Sequence, residues 1–154
     1  MLKDQIQQDL KAAMRAKDAV RLRTVRSLRA ALQTREIALR EGGEAELSEQ
    51  EELAVVQKQA KQRRDAIEQY EAAGRDDLAA KEREELAVIE EYLPQQLGDD
   101  AIRAVLHEVI AATGAASPRD VGKVMGAAIK RLRGRADGRR INELARELLS
   151  GSNA

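Results

Sequence analysis

The sequence of 154 residues contains no cysteine, phenylalanine or tryptophan, and its only aromatic residues are two tyrosines. Without cysteine the chain has no disulfide scaffold, no thiolate metal site and no cysteine nucleophile. Charged residues interrupt every apolar stretch before the roughly 20 residues that a transmembrane helix requires. The N-terminus also lacks the apolar core of a secretory signal. These absences predict a cytoplasmic protein that does not interact with the membrane.

The residues that are present favour helices. Alanine (27 residues) and leucine (17) together outnumber the 20 β-branched residues, and 35% of the chain is charged. With so few aromatic residues the core has to consist of Leu, Ile, Val, Ala and Met, which suits the narrow seams between helices. The sequence therefore predicts an all-α protein.

Apolar residues recur at helical spacing in four segments before Pro94. We expect helices over about 2–17, from the cap Asp18 to about 40, from Ser48 to Gly74 and from Asp76 to about 92. Met14 is assigned to the apolar face of the first helix, and Ser48 and Glu51 have the spacing of a capping box. The third and fourth segments predict a long antiparallel helix hairpin within an N-terminal helical domain of residues 1–94, which Pro94 ends.

Three shorter helical segments follow, separated by Gly114 and Gly134. We expect helices over about 99–113, from Ser117 to Arg133, and over about 138–150, with Ile129 on the apolar face of the middle one. These segments predict a small C-terminal three-helix bundle in a domain of residues 95–150.

The formal net charge of zero hides an uneven distribution of charge. Residues 1–40 hold ten basic and four acidic residues, 41–93 hold seven and sixteen, and 94–154 hold ten and seven. The acidic hairpin is therefore an unfavourable surface for nucleic acid. Residues 119–140 carry eight basic and two acidic side chains, which predicts a phosphate-binding patch.

The candidate site combines these cations with two glycines of the sixth helix. Its residues are Arg119, Gly122, Lys123, Gly126, Lys130, Arg131, Arg133, Arg135, Arg139 and Arg140. At about 100° per residue, the glycines fall within a basic stripe opposite the apolar face. Since glycine in a helix costs about 1 kcal/mol relative to alanine, the missing side chains require an explanation. Either they admit a phosphodiester backbone or another helix, or this side packs against the N-terminal domain; the basic stripe alone also fits an ordinary solvated face.

Three motifs resemble the YqeY family of small bacterial proteins, and the resemblance covers nearly the whole chain. They are Glu-Tyr-Leu-Pro-Gln-Gln-Leu at 91–97, Val-Gly-Lys-Val-Met-Gly at 121–126 and Gly-Arg-Ala-Asp-Gly at 134–138. Val121 stands where the family commonly has methionine, which is a volume-conserving change. The C-terminal module of the family is similar to the tail of GatB, a subunit of the tRNA-dependent amidotransferase that makes Gln-tRNA or Asn-tRNA.

The resemblance implies RNA binding without catalysis. In the amidotransferase the tail grips tRNA, whereas a separate cradle domain carries phosphorylation and amidation, and this chain has no room for that domain. A carbon–nitrogen ligase activity with glutamine as amido donor would therefore belong to the relative's catalytic part. The resemblance implies that tRNA, or another structured RNA, binds the cations around Gly122 and Gly126.

No catalytic, metal-binding or cofactor-binding pattern occurs, so we expect a protein that is not an enzyme. His107 is expected at the surface, and the pairs Glu51-Glu52 and Glu84-Glu85 are interpreted as solvated helix faces. Neither tyrosine lies in the basic segment, which argues against base stacking. We expect salt-sensitive, sequence-tolerant contacts with phosphates.

Two alternatives stay open. Arg21, Arg23, Arg26 and Arg29 of the second helix would extend the basic surface, although pairing with the acidic hairpin is the favoured interpretation. The protein could instead be an adaptor in which the hairpin or the glycine face docks a partner protein, or an accessory to an amidotransferase without a catalytic centre of its own.

Overall fold

The computed structural model describes residues 1–43 and 46–151, which form helices and no strand. The all-α class is confirmed. By their contacts these residues form two compact units, Met1–Pro94 and a second unit that begins at Gln95.

The helices lie close to the predicted segments. The first unit contains α1 (Leu2–Ala16), α2 (Ala19–Glu41), α3 (Glu49–Ala72) and α4 (Asp76–Glu90). The second contains α5 (Asp99–Thr113), a 3-10 turn (Pro118–Asp120), α6 (Val121–Leu132) and α7 (Gly138–Leu149). Apart from the start of α6, the predicted ends agree to within about two residues, which is the usual uncertainty of helix ends.

An aliphatic core holds the four helices of the first unit together. Its fully buried side chains include Ile6 of α1, Leu28 of α2, Val56 of α3 and Ile89 of α4. The predicted capping box starts α3: the Glu51 amide donates to Ser48 Oγ at 3.2 Å, and the Ser48 amide donates to Glu51 Oε2 at 3.0 Å. The hairpin of α3 and α4 then packs on α2.

One carboxylate lies inside this core, contrary to expectation. Glu52 is 1% exposed, and its Oε2 accepts a hydrogen bond of 2.8 Å from the Leu2 amide. The bond satisfies a free N–H at the start of α1, where the helix dipole also favours negative charge. The interpretation of Glu51-Glu52 as a solvated face was therefore wrong for Glu52. Glu85 is also mostly covered, at 13% exposure, because it faces Arg63 of α3.

Two apolar side chains that were assigned to helix faces lie in solvent. Met14 is 54% exposed and Ile129 is 44% exposed. Each lies about 80–90° from the centre of its apolar stripe at 100° per residue. A helix at the surface of a small unit buries only the sector that faces its neighbours, so these two assignments were wrong.

The sixth predicted helix is shorter than expected at both ends. Its first residues form a 3-10 turn, in which the Asp120 carboxylate accepts backbone N–H bonds of 3.0 and 3.3 Å from the two residues before the turn. At the other end Arg133 adopts a ψ of 121° and Gly134 follows with a φ of +75°. Arg119 and Arg133 therefore flank α6 and do not continue its basic stripe.

The end of α4 is tied to α1 and α2 by polar contacts. Arg21 donates to both carboxylate oxygens of Glu91, at 2.7 and 3.0 Å, and the Tyr92 hydroxyl donates to Asp9 at 2.5 Å. Burial and the neighbouring Asp9 carboxylate hold the pKa of Tyr92 well above its usual range. These bonds fix the first half of the 91–97 motif within the first unit.

Lys17 ends α1 in the left-handed conformation, with φ 53° and ψ 33°. It is the one non-glycine residue with positive φ in the described parts of the chain, and its side chain is exposed. An L-residue in this conformation costs about 1 kcal/mol, which glycine avoids.

We expect Lys17→Gly to raise the free energy of unfolding by up to about 1 kcal/mol, because relief of strain outweighs the added freedom of the unfolded chain. Lys17→Ala is the matched control, since it removes the same charge and keeps Cβ. Urea denaturation followed by circular dichroism measures both variants. Equal stability of the two would contradict a strained turn.

Candidate nucleic-acid interface

The exposed side of α6 presents two lysines and two glycines. Gly122, Lys123, Gly126 and Lys130 are all exposed, and at about 100° per residue they share an arc of about 100°. The opposite side of the helix is buried in the core of the unit through Val124, Ala128 and Leu132. The predicted separation of a basic face from an apolar face is therefore present over the length of α6.

The two glycines leave helix backbone uncovered between the lysines. A Cβ placed on Gly122 or Gly126 would meet no atom within 4 Å, and neither residue has a positive φ. Neither the backbone conformation nor packing within the C-terminal unit therefore requires glycine at these positions. The surface that results is a strip of main chain flanked by the ammonium groups of Lys123 and Lys130, which we call the α6 basic face.

Further cations lie at both ends of this face. Along the part of the chain that the structure describes, five basic residues of the candidate site form no ion pair: Arg119, Lys123, Lys130, Arg133 and Arg135. Asp120 directly precedes α6 and lies near the start of the face, and backbone hydrogen bonds and the charge of Lys123 lower its pKa.

Other members of the candidate site are already engaged. Arg131 forms an ion pair with Glu108 of α5. Arg140 binds Asp99 with two bonds, of 3.0 and 2.6 Å, and Glu143 at 2.7 Å. These carboxylates hold the pKa of Arg140 above its usual range, and the Arg140 hydrogen bond lowers the pKa of Asp99. Arg139 also interacts with another residue.

The loop after α6 is held by the residues that follow Pro94. The Gln96 side-chain amide donates to the Gly134 carbonyl at 2.7 Å, and the Leu97 backbone amide donates to the Arg135 carbonyl at 2.7 Å. Two of the three sequence motifs therefore meet in space. Their contact restrains the backbone that carries Arg133 and Arg135, a role that the sequence pattern did not reveal.

The arginines of α2 divide into two groups. Arg21 binds Glu91, and Nη2 of Arg23 lies 3.4 Å from Oε2 of Glu84 in α4. For these two arginines the predicted pairing with the acidic hairpin is confirmed. Arg26 and Arg29 form no ion pair with the residues described.

Metal-binding clusters and membrane-spanning helices were also sought among the described residues. These residues contain no group of three or more His, Asp or Glu residues placed to hold a metal ion. No helix among them is both long and apolar enough to cross a bilayer. His107 is exposed, as expected.

These features define an all-helical protein whose C-terminal unit presents a basic helix face with exposed backbone. The sequence model of the YqeY family, described as Yqey-like protein, matches residues 3–149. The chain therefore belongs to the YqeY family.

Similar curated proteins include several from yeasts that carry the name "Altered inheritance of mitochondria protein 41, mitochondrial". The protein of Saccharomyces cerevisiae strain YJM789 is 39% identical over 87 residues, which cover 56% of this chain and 45% of that protein. The protein of Vanderwaltozyma polyspora is 30% identical over 123 residues, which cover 75% of this chain and 64% of that protein. The protein of Meyerozyma guilliermondii is 38% identical over 91 residues, which cover 57% of this chain and 44% of that protein. The chain thus spans less than two thirds of the length of these relatives.

We expect Gly126→Ala to raise the free energy of unfolding by about 1 kcal/mol, because alanine favours the helix and its methyl group meets open space. Gly114→Ala is the contrasting control, since its φ of +68° makes any side chain unfavourable. Urea denaturation compares the two. A less stable Gly126→Ala variant would mean that packing requires this glycine.

The ion pair of Asp99 and Arg140 should make the free energy of unfolding depend on pH in the acid range. Because the folded pKa of Asp99 is lowered, the pair stabilises the fold above the ordinary value of about 3.9 and loses its effect as pH falls through the folded pKa. Arg140→Gln should raise the pKa of Asp99, as measured by NMR titration of its carboxyl carbon. Arg146→Gln is the control, since Arg146 bonds to Asn142. An unchanged Asp99 titration in Arg140→Gln would refute this assignment.

Proposed function

We propose that the protein is a non-catalytic RNA-binding accessory protein that contacts tRNA through the α6 basic face. The observation that carries the proposal is the uncovered backbone at Gly122 and Gly126 between two lysines that form no ion pair within 4.0 Å in the described residues; Asp120, whose pKa Lys123 lowers, is the carboxylate near Lys123. Membership of the YqeY family supports it, because the C-terminal module of that family resembles the tRNA-gripping tail of GatB.

The chemistry of the face suits a phosphodiester backbone. Cations without an intramolecular partner displace the counterions of a nucleic acid on binding, which contributes affinity without reading sequence. Glycine lets the backbone of α6 approach a phosphate or ribose more closely than a side chain would allow. Since no aromatic residue lies in the basic segment, recognition would follow the shape of a folded RNA.

The expectation that the chain is not an enzyme is part of this proposal. An accessory role beside an amidotransferase would require no catalytic centre in this chain, because phosphorylation and amidation belong to the cradle domain of that enzyme. We place the protein in the cytoplasm; the word "mitochondrial" in the names of the yeast relatives describes those proteins.

The test is a fluorescence-anisotropy titration of labelled bulk tRNA at two salt concentrations. We expect Lys123→Glu combined with Lys130→Glu to weaken binding at least tenfold, because two attractive charges become repulsive. The matched control is Lys58→Glu combined with Lys81→Glu, which makes the same change in net charge at exposed residues of α3 and α4. Circular dichroism verifies that each variant is folded.

The glycine strip adds a second arm to this titration. Gly126→Leu introduces a bulky side chain without changing charge, and we expect it to weaken tRNA binding although the helix remains folded. Affinity of the lysine double variant within twofold of the unmodified protein would overturn the proposed function. Loss of affinity in the control variant as well would attribute binding to net charge and overturn it too.

A protein adaptor is the second candidate, and the exposed Ile129 favours it. This side chain is 44% exposed and lies about 60° from Gly126 around α6, so an apolar contact borders the strip where a partner helix could pack. Recovery of one stoichiometric protein from cell extract after ribonuclease treatment, lost in Ile129→Glu, would support this function. Retention of that protein by Ile129→Glu would count against docking at this face.

A further inference from the structure

A second group of cations lies on the first unit, near the turn that joins α1 and α2. It consists of Lys11, Arg15, Lys17, Arg26 and Arg29, which we call the α1–α2 basic surface. Four of these residues are exposed and Arg29 is half-buried. None of the five forms an ion pair with a carboxylate in residues 1–43 and 46–151.

The packing of α1 on α2 brings Lys11, Arg26 and Arg29 to one side of the pair. The two helices are antiparallel across a tight turn, and Lys3 binds Glu36 at 2.7 Å, which sets their register. In that register Lys11 lies at about the level of Arg29. At about 100° per residue, Lys11 lies about 80° around α1 from Lys3, and Arg26 lies about 80° around α2 from Glu36. Lys11 and Arg26 are therefore farther from the core than Lys3 and Glu36, on the side of the helix pair where that ion pair forms.

Of the acidic residues near this surface, Asp18 and Asp9 are engaged elsewhere, whereas the exposed Asp4 lies on the Lys11 side of α1, about 10 Å along the helix from Lys11. Asp18 caps α2 by accepting from the Arg21 amide at 3.0 Å, and its other oxygen lies 3.7 Å from the Arg21 guanidinium. Asp9 accepts a hydrogen bond from the hydroxyl of Tyr92. Arg21 and Arg23 of α2 have carboxylates of the α4 segment as partners. Arg35 and Arg40 are also paired, so Arg26 and Arg29 are the arginines of α2 without an ion pair in the described residues.

We propose that the α1–α2 basic surface is a second binding surface for the phosphate backbone of a structured RNA. The inference rests on the proposed RNA binding by the α6 basic face and adds a separate contact on the other unit. Three of its five cations are arginines, whose guanidinium groups can bind a phosphate with two parallel hydrogen bonds.

A nucleic acid fits this surface better than an anionic membrane does. Membrane-surface helices combine cations with a broad apolar face that enters the lipid. Here the large exposed apolar side chain among the cations is Met14, at 54% exposure, and the other exposed apolar residues beside it on α1 are the small Ala12 and Ala16. One methionine offers little apolar area, whereas the spread of charge over two helices matches a polyanion.

The test compares Lys11→Glu combined with Arg26→Glu with the double lysine variant of α6, using labelled bulk tRNA over a series of salt concentrations. We expect the α1–α2 variant to weaken binding at least fivefold and to reduce the slope of log affinity against log salt by about one to two, since each phosphate contact contributes about 0.7–0.9. Lys11→Gln combined with Arg26→Gln should give a smaller loss in the same direction. The double variant of Lys58 and Lys81 is again the control.

The outcomes separate this inference from the proposed function. If reversal on α6 abolishes binding while reversal on α1–α2 matches the control, the second surface is refuted and the proposed function stands. If only the α1–α2 reversal weakens binding, RNA binding belongs to the first unit and the α6 proposal falls. If neither double variant weakens tRNA binding, both the proposed function and the second binding surface are refuted.

Lipid vesicles provide the remaining arm. The unmodified protein is mixed with vesicles of phosphatidylcholine and phosphatidylglycerol, and sedimentation measures the bound fraction. We expect weaker binding to these vesicles than to tRNA at the same salt concentration. Vesicle binding that is as tight as tRNA binding and is lost in the α1–α2 variant would assign this surface to membranes and overturn the inference.

Discussion

The positions of the carboxylates decide which cations of this protein can meet a ligand. Acidic and basic residues are equal in number, yet they are not paired evenly. Glu91 and Glu84 neutralise two arginines of α2, and Asp99 and Glu108 of α5 neutralise Arg140 and Arg131. Lys123 and Lys130 of α6, and Lys11, Arg15, Arg26 and Arg29 of the α1–α2 pair, form no ion pair in the described residues. Two basic surfaces therefore remain on a chain whose net charge is zero.

An aliphatic core makes these surfaces possible. Leu, Ile, Val and Ala fill narrow seams in both units, so each helix buries one sector and leaves the rest to solvent. On α6 the exposed sector includes two glycines that packing within the unit does not require. Glycine weakens a helix. Gly122 and Gly126 therefore lower the stability of α6 at the face for which we propose RNA contact. Local rules are commonly broken at functional sites.

Most of the fold could be predicted because its signals are local. Caps, glycine stops and apolar spacing act within a few residues, and they located all seven helices to within about two residues except at the start of α6. The errors came from residues whose environment is set by distant segments. Glu52 is buried because the start of α1 reaches it, and Met14 and Ile129 are exposed because no neighbouring helix covers their sector. The basic residues of the candidate site were predicted from the sequence, but the ion pairs of Arg131 with Glu108 and of Arg140 with Asp99 were not.

Residue type and short-range spacing were sufficient to predict the helical class, the family, the order of the helices and the basic segment of the C-terminal unit. Which charges are compensated depends instead on how the helices pack. Arg131 and Glu108 are 23 residues apart, and Arg140 and Asp99 are 41 apart. Such pairs form when separate helices pack side by side. Their partners follow from the rotation and register of those helices, which a local pattern does not contain.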